Sequence, residues 1–259
     1  MTTTYTSYRL ITADLTKSLE RVSEQPDVAR ETDYYLSKIG SIKSLDEFFA
    51  DSRLYNYAMK AHGLEDMAYA KAFMRKVLTE GIDSDDAFAN KLSDNRYKAL
   101  VESLNFARHG EAATAFDSAQ QGVVGKYTRQ TLEENAGQDN TGVRLALYFQ
   151  RTAPAITSAY EIIADEALAQ VVRTVLQLPD EFAATDVDQQ AKTIEKAIEL
   201  EDFRDPGKLS AFLDRFTAIW EIEHSSDSYD PLAVFGSSSG YGISADLLLS
   251  INNLKLGGR

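Results

Sequence analysis

Two spacings in residues 234 to 242, VFGSSSGYG, could do chemistry. Gly236-Ser237-Ser238-Ser239-Gly240 fits the GxSxG elbow of a serine nucleophile, and Gly240-Tyr241-Gly242-Ile243-Ser244-Ala245 fits the GxGxxA turn that cradles a dinucleotide pyrophosphate. The elbow requires a strand before it, a helix after it, and then an acid and a histidine further along the chain. Beyond Ser238 there is Asp246 but no histidine. The dinucleotide turn requires a following strand and an acidic residue about twenty positions on. Only residues 243 to 259 follow, too few for that unit. Both spacings therefore read as accidents of a Gly/Ser linker.

Other candidates fail on the same kind of test. Gly125-Lys126 lacks the glycine five residues earlier, where Gln120 stands, and the hydroxyl residue after the lysine, where Tyr127 stands, so it reads as a helix surface and not a phosphate loop. His62, His109 and His224 each stand without a second histidine three or four residues away, which favours structural or surface roles over metal ligation. The acidic clusters at Asp83, Asp85, Asp86 and at Glu199, Glu201, Asp202 lack the spacing of a calcium loop and read as solvated or capping groups. Phe48, Phe49, Phe73, Phe149, Phe212 and Phe216 fall at helical spacing beside Leu and Ala, as core residues do. No catalytic, cofactor-binding or metal-ligating residues are expected.

The elements that carry these residues are helical almost throughout, because apolar residues recur three and four apart and strand alternation is nearly absent. Helix punctuation agrees. Pro26 opens a helix running to Gly40, Ser44-Leu45-Asp46-Glu47 is a capping box, Gly63 and Gly81 sit at C-terminal caps, and Asp205-Pro206 is an N-cap followed by proline at the first helical position. Forty acidic against twenty-seven basic residues give a formal net charge of -13, which excludes polyanions such as nucleic acid as natural partners. The absence of cysteine removes disulfides, thiolate metal sites and cysteine nucleophiles. Residues 1 to 8 lack a basic region followed by an apolar run, and nowhere do eighteen uncharged apolar residues run together. No cleaved signal and no membrane insertion are expected, which leaves the cytoplasm, or export without a classical signal, as the location.

An internal repeat appears at an offset of 114. Tyr34, Ile42, Ser44, Glu47, Ala50, Asp51, Leu54 and Leu64 meet identical residues at 148, 156, 158, 161, 164, 165, 168 and 178, so that SLDEFFAD mirrors SAYEIIAD with Ser, Glu and Asp in the same places. The expected fold is all-α: two related multi-helix bundles joined by a longer helix, plus a C-terminal tail helix. The corresponding segments are 1–110, a connecting helix over 111–140, a second half over 141–223, a linker over 224–242 and a tail helix over 243–259. In the tail, Leu247, Leu248, Ile251 and Leu254 share an apolar side, which makes them the candidate contact with a protein partner or a second copy. Packing of this helix on the chain's own core is the alternative.

The stretches PDVARETDYYLSKIGSIKSLDEFFADSRLYNYAMKAHGLEDMAYAKAFMRKVLTEG, LSDNRYKALVESLNF, YTRQTLEENAGQDNTGVRLALYFQRTAP and DPGKLSAFLDRF together resemble an alphaproteobacterial family, domain of unknown function 1217 (DUF1217). The resemblance implies an all-helical fold and, because members are often encoded among flagellar genes, a link to the flagellum by association. It supplies no catalytic residues. The reading is a non-enzymatic helical interaction protein linked to flagellar assembly or function, with two alternatives. One is an exported structural component of the flagellum or cell surface. The other is an enzyme or ligand binder whose site is built from distant helices.

Overall fold

The computed structural model describes residues 2–224, and Leu247, Leu248, Ile251 and Leu254 lie outside them. The described residues are all-α, with fourteen α-helices, six short 3-10 segments and no strand. In chain order the helices are α1 (Thr4–Ala13), α2 (Leu15–Ser23), α3 (Pro26–Ile39), α4 (Leu45–Ala50), α5 (Ser52–Ala61), α6 (Lys71–Glu80), α7 (Asn95–Ser103) and α8 (Phe106–His109). They continue as α9 (Gln121–Asp139), α10 (Thr141–Thr152), α11 (Ala159–Ala164), α12 (Glu166–Leu176), α13 (Val187–Ala197) and α14 (Pro206–His224). Residues 1–222 form one compact unit.

Two apolar cores lie inside that unit. The first gathers Tyr35, Phe48, Leu54, Met59, Met74 and Leu100 from the helices up to α9, and the second gathers Phe149, Ile162, Val171, Leu213 and Phe216 from α10 onward. Truncating one of the fully buried phenylalanines to alanine costs about 3–5 kcal/mol, which is the scale on which these cores hold the fold. The N-terminal helix crosses to the second core. Tyr8 packs there, the Thr4 backbone N–H and hydroxyl both donate to Glu221 at 2.7 and 2.5 Å, and Arg9 pairs with Asp214 at 2.5 Å. The sequence gives no sign of this strap, since α1 is short and its polar anchors are 205 and more residues away.

The capping signals form the local structure, with two adjustments. Ser44 accepts from the Glu47 N–H at 3.2 Å, but Glu47 reaches back to the Lys43 N–H at 2.7 Å, one residue earlier than a closed capping box requires. Ser158 accepts from the Tyr160 N–H at 3.2 Å, while Glu161 takes the Thr157 hydroxyl and the Asn95 amide, both at 2.6 Å. Asp205 caps α14 through the Lys208 N–H at 2.9 Å, and Pro206 follows at its first position. At the end of α5, Gly63 takes φ +67°, and the Leu64 and Gly63 N–H groups bond the Met59 and Lys60 carbonyls in a Schellman turn. Asp83, Asp85 and Asp86 start no α-helix; Asp83 binds Arg108 and Asp86 binds Lys91.

The connecting helix expected over 111–140 is the shorter α9, preceded by a 3-10 segment at Gly110–Ala115 and a turn. Its nineteen residues span about 28 Å at 1.5 Å each. It packs against α2 and α5 on the first-core side and against α10 on the second. Every residue from Tyr127 to Glu133 is buried, because α9 has neighbours all round. Most of its buried polar side chains are bonded inside the protein, the Thr131 hydroxyl being the exception. Glu133 accepts Arg129 at 2.9 Å and Arg151 at 2.8 Å, Gln130 bonds Glu134 and Arg151, and Glu134 pairs with Lys60 of α5 at 2.7 Å. This chain of charge-assisted bonds ties α5, α9 and α10 together.

Candidate functional site

Beside α9, where the two halves meet, lies a cavity of about 230 Å³. Its wall is mostly apolar, built from Ala61 of α5, Ala99 of α7, Ile156 and Leu168 of α12. Polar groups converge on it from six helices or their caps: His62, Asp94, Arg96, Lys126, Tyr148, Arg151, Glu161 and Asp165.

Most of these groups are engaged in holding helices. Arg96 grips Asp94 through two nitrogens and donates to the Gly63 carbonyl at 2.6 Å, fixing the start of α7 to the turn after α5. Tyr148 donates to Asp165 at 2.5 Å, and Asp165 also caps α12 through the Ala167 and Leu168 N–H groups. Burial and the neighbouring Asp165 carboxylate raise the Tyr148 phenol well above its ordinary value, so it stays protonated as the donor. Arg151 belongs to the Glu133 network.

His62, Ser103 and Lys126 meet at the inner end. His62 Nδ1 lies 2.7 Å from the Ala58 carbonyl, which can only accept, so that nitrogen carries the proton. Its Nε2 faces the Ser103 hydroxyl at 2.9 Å, whose one proton is shared with the Ala99 carbonyl at 3.0 Å, and Lys126 Nζ donates to Ser103 Oγ at 2.6 Å. Burial, reinforced by the nearby Lys126 charge, pushes the His62 imidazole down to about 3. Burial also lowers Lys126, against a smaller pull from Glu102. A serine hydroxyl beside a histidine whose other nitrogen is held by an acceptor has the outline of an activated nucleophile. Two features argue against that use: Ser103 is only 2 % exposed, and an imidazole that protonates near 3 is a weak base at neutral pH. The triple joins α5, α7 and α9.

The sequence placed none of this cavity. Lys126 was expected on a helix surface, and it is half-buried at the cavity wall. Residues 62, 103 and 126 have no spacing that signals proximity; only the packing of α5 and α7 about α9 brings them together. His62 is bonded to the Ala58 carbonyl and Ser103, while His109 lies tilted against Phe116 with ring centroids 4.5 Å apart. Among the described residues no group of three or more His, Cys, Asp or Glu could hold a metal ion. No described helix is long and apolar enough to cross a membrane.

Residues 61–209 match the family described as protein of unknown function, DUF1217. The chain is also similar to a protein from Agrobacterium tumefaciens whose X-ray crystal structure is known. Identity is 64%, the match covers 85% of this chain and 94% of that one, and the TM-score is 0.80. None of the curated proteins matches the chain.

Proposed function

Because the chain belongs to the DUF1217 family and is helical throughout its described residues, we propose that it is a non-enzymatic helical interaction protein acting in flagellar assembly or function. The observation that carries the non-enzymatic part is the bonding of Ser103, His62, Tyr148 and Asp165. Each of these four groups is committed to joining helices or capping them. The flagellar part rests on the association that the family resemblance implies.

The two halves arose by duplication in this reading, and local geometry supports it at the same offset of 114. Tyr34 donates to Asp51 at 2.7 Å as Tyr148 does to Asp165. Asp51 caps the Arg53 and Leu54 N–H groups as Asp165 caps those of Ala167 and Leu168. The Schellman turn at Gly63 has its counterpart at Gln177, the one non-glycine residue with positive φ among those described, where the Leu178 N–H bonds the Arg173 carbonyl. A Tyr–Asp bond, a double cap and a left-handed turn recurring in one register are hard to obtain from helical patterning alone.

The contact with a partner or second copy is assigned to the tail stripe of Leu247, Leu248, Ile251 and Leu254. Deleting the gene in the bacterium that encodes the chain and counting filaments by electron microscopy tests the reading. Fewer or shorter filaments are expected; normal filaments together with normal swimming would overturn it. Recovery of the chain from sheared filaments would favour the exported component instead.

A further inference from the structure

Among the described residues that line the cavity beside α9, Lys126 is the cation that makes no ion pair. Asp94 is occupied by Arg96, Asp165 by Tyr148 and two backbone N–H groups, and Glu161 by Thr157 and Asn95, while Arg151 is paired with the deeply buried Glu133. Lys126 makes one hydrogen bond, to the neutral Ser103 hydroxyl, and no ion pair among the described residues. An ammonium has three donors, so two remain. Apolar side chains of Ala61, Ala99, Ile156 and Leu168 line the same cavity.

From this geometry we propose that the cavity is a binding site for a small organic monocarboxylate, its anionic end on Lys126 and its apolar body against Ala61, Ala99, Ile156 and Leu168. A half-buried cation without a counter-charge is costly, and an incoming carboxylate supplies the charge and the acceptors together. With one unpaired ammonium among the described lining residues, the site favours one negative charge over the two of a phosphate monoester dianion, which would meet Glu161 and Asp165. Size sets the second limit. At about 30 Å³ per water, 230 Å³ holds on the order of eight waters or an acid of similar heavy-atom count. Binding requires no catalysis, so the site stands independently of the flagellar reading.

Benzoate is the probe, with benzyl alcohol as its uncharged counterpart and inorganic phosphate as the competing anion, each titrated into the full chain by calorimetry and saturation-transfer NMR. Saturable benzoate binding is expected, with benzyl alcohol and phosphate at least about tenfold weaker, the scale of one charge-assisted hydrogen bond. Lys126→Met is expected to weaken benzoate at least about tenfold. Ala99→Leu, which keeps the charge and fills the space, is expected to do the same, and it stands as the test should Lys126→Met fail to fold by its melting curve. No saturable benzoate binding up to about 10 mM, or equal affinity in a folded variant, overturns the proposal. Phosphate binding as tightly as benzoate also overturns it, leaving only a general anion site.

Discussion

His62 offers the sharpest quantitative consequence of the buried seam between the halves. The unfolded chain takes up a proton on this imidazole below about 6.5, and the folded protein refuses it until about 3. Between those values the unfolded state binds more protons, so stability is complete above 6.5 and falls as pH falls. The loss is about 1.4 kcal/mol per pH unit below 6.5, or about 2 kcal/mol at pH 5. The residue is 5 % exposed, so solvent screening removes little of this. The assay is urea unfolding of wild type and His62→Gln at pH 8 and pH 5, since glutamine retains a donor and an acceptor but does not titrate. The stability gap between the two proteins should close by about 2 kcal/mol on going to pH 5, near 1 M in wild-type midpoint at a slope of about 2 kcal/mol per M. Other groups titrate equally in both proteins and cancel. Parallel pH dependences would refute the claim that His62 is buried neutral between Ala58 and Ser103.

Further substitutions test other parts of the account by denaturant or thermal unfolding. Glu133→Gln leaves Arg129 buried without its counter-charge and should cost about 3–5 kcal/mol; an effect below about 1 kcal/mol would show that the network does not join α9 and α10 as described. Gly142→Ala places a Cβ 2.3 Å from Trp220 Cδ1, so a loss of at least about 1–3 kcal/mol is expected, and wild-type stability would contradict the close approach of α10 to α14. Gln177→Gly relieves the left-handed turn ending α12 and should raise stability by up to about 1 kcal/mol, whereas Gly63→Ala at its counterpart should lower it by a comparable amount. Ser44→Ala and Ser158→Ala should each cost about 0.5–2 kcal/mol, and unchanged melting in both would refute the caps.

What could be read from the sequence follows the range of the forces involved. Helix starts and stops at Pro26, Ser44, Gly63 and Asp205 are set by residues within one turn, so their chemistry shows locally. The helical class follows from apolar periodicity on helices such as α5 and α12, which bury one face. Helix α9 defeats that reasoning, because a helix buried all round by charged and amide groups has no apolar stripe to see. Its start, expected near 111, lies at Gln121 because residues 110 to 115 take the tighter 3-10 form. The cavity was not legible at all: His62, Ser103 and Lys126 touch only through packing across 41 and 23 residues of intervening chain. The two sequence motifs that looked most like chemistry, at 234 to 245, lie outside the described residues.

The central claim is that this protein works through contacts in flagellar assembly or function. It is tested most directly by swimming in soft agar of a deletion strain complemented with the full chain or with a chain stopped at Tyr241, which removes Leu247, Leu248, Ile251 and Leu254. The account predicts that deletion abolishes or reduces swimming, that the full chain restores it, and that the shortened chain, expressed at the same level, does not. Undiminished swimming in the deletion strain would contradict the flagellar role. Full rescue by the shortened chain would contradict the contact through the tail.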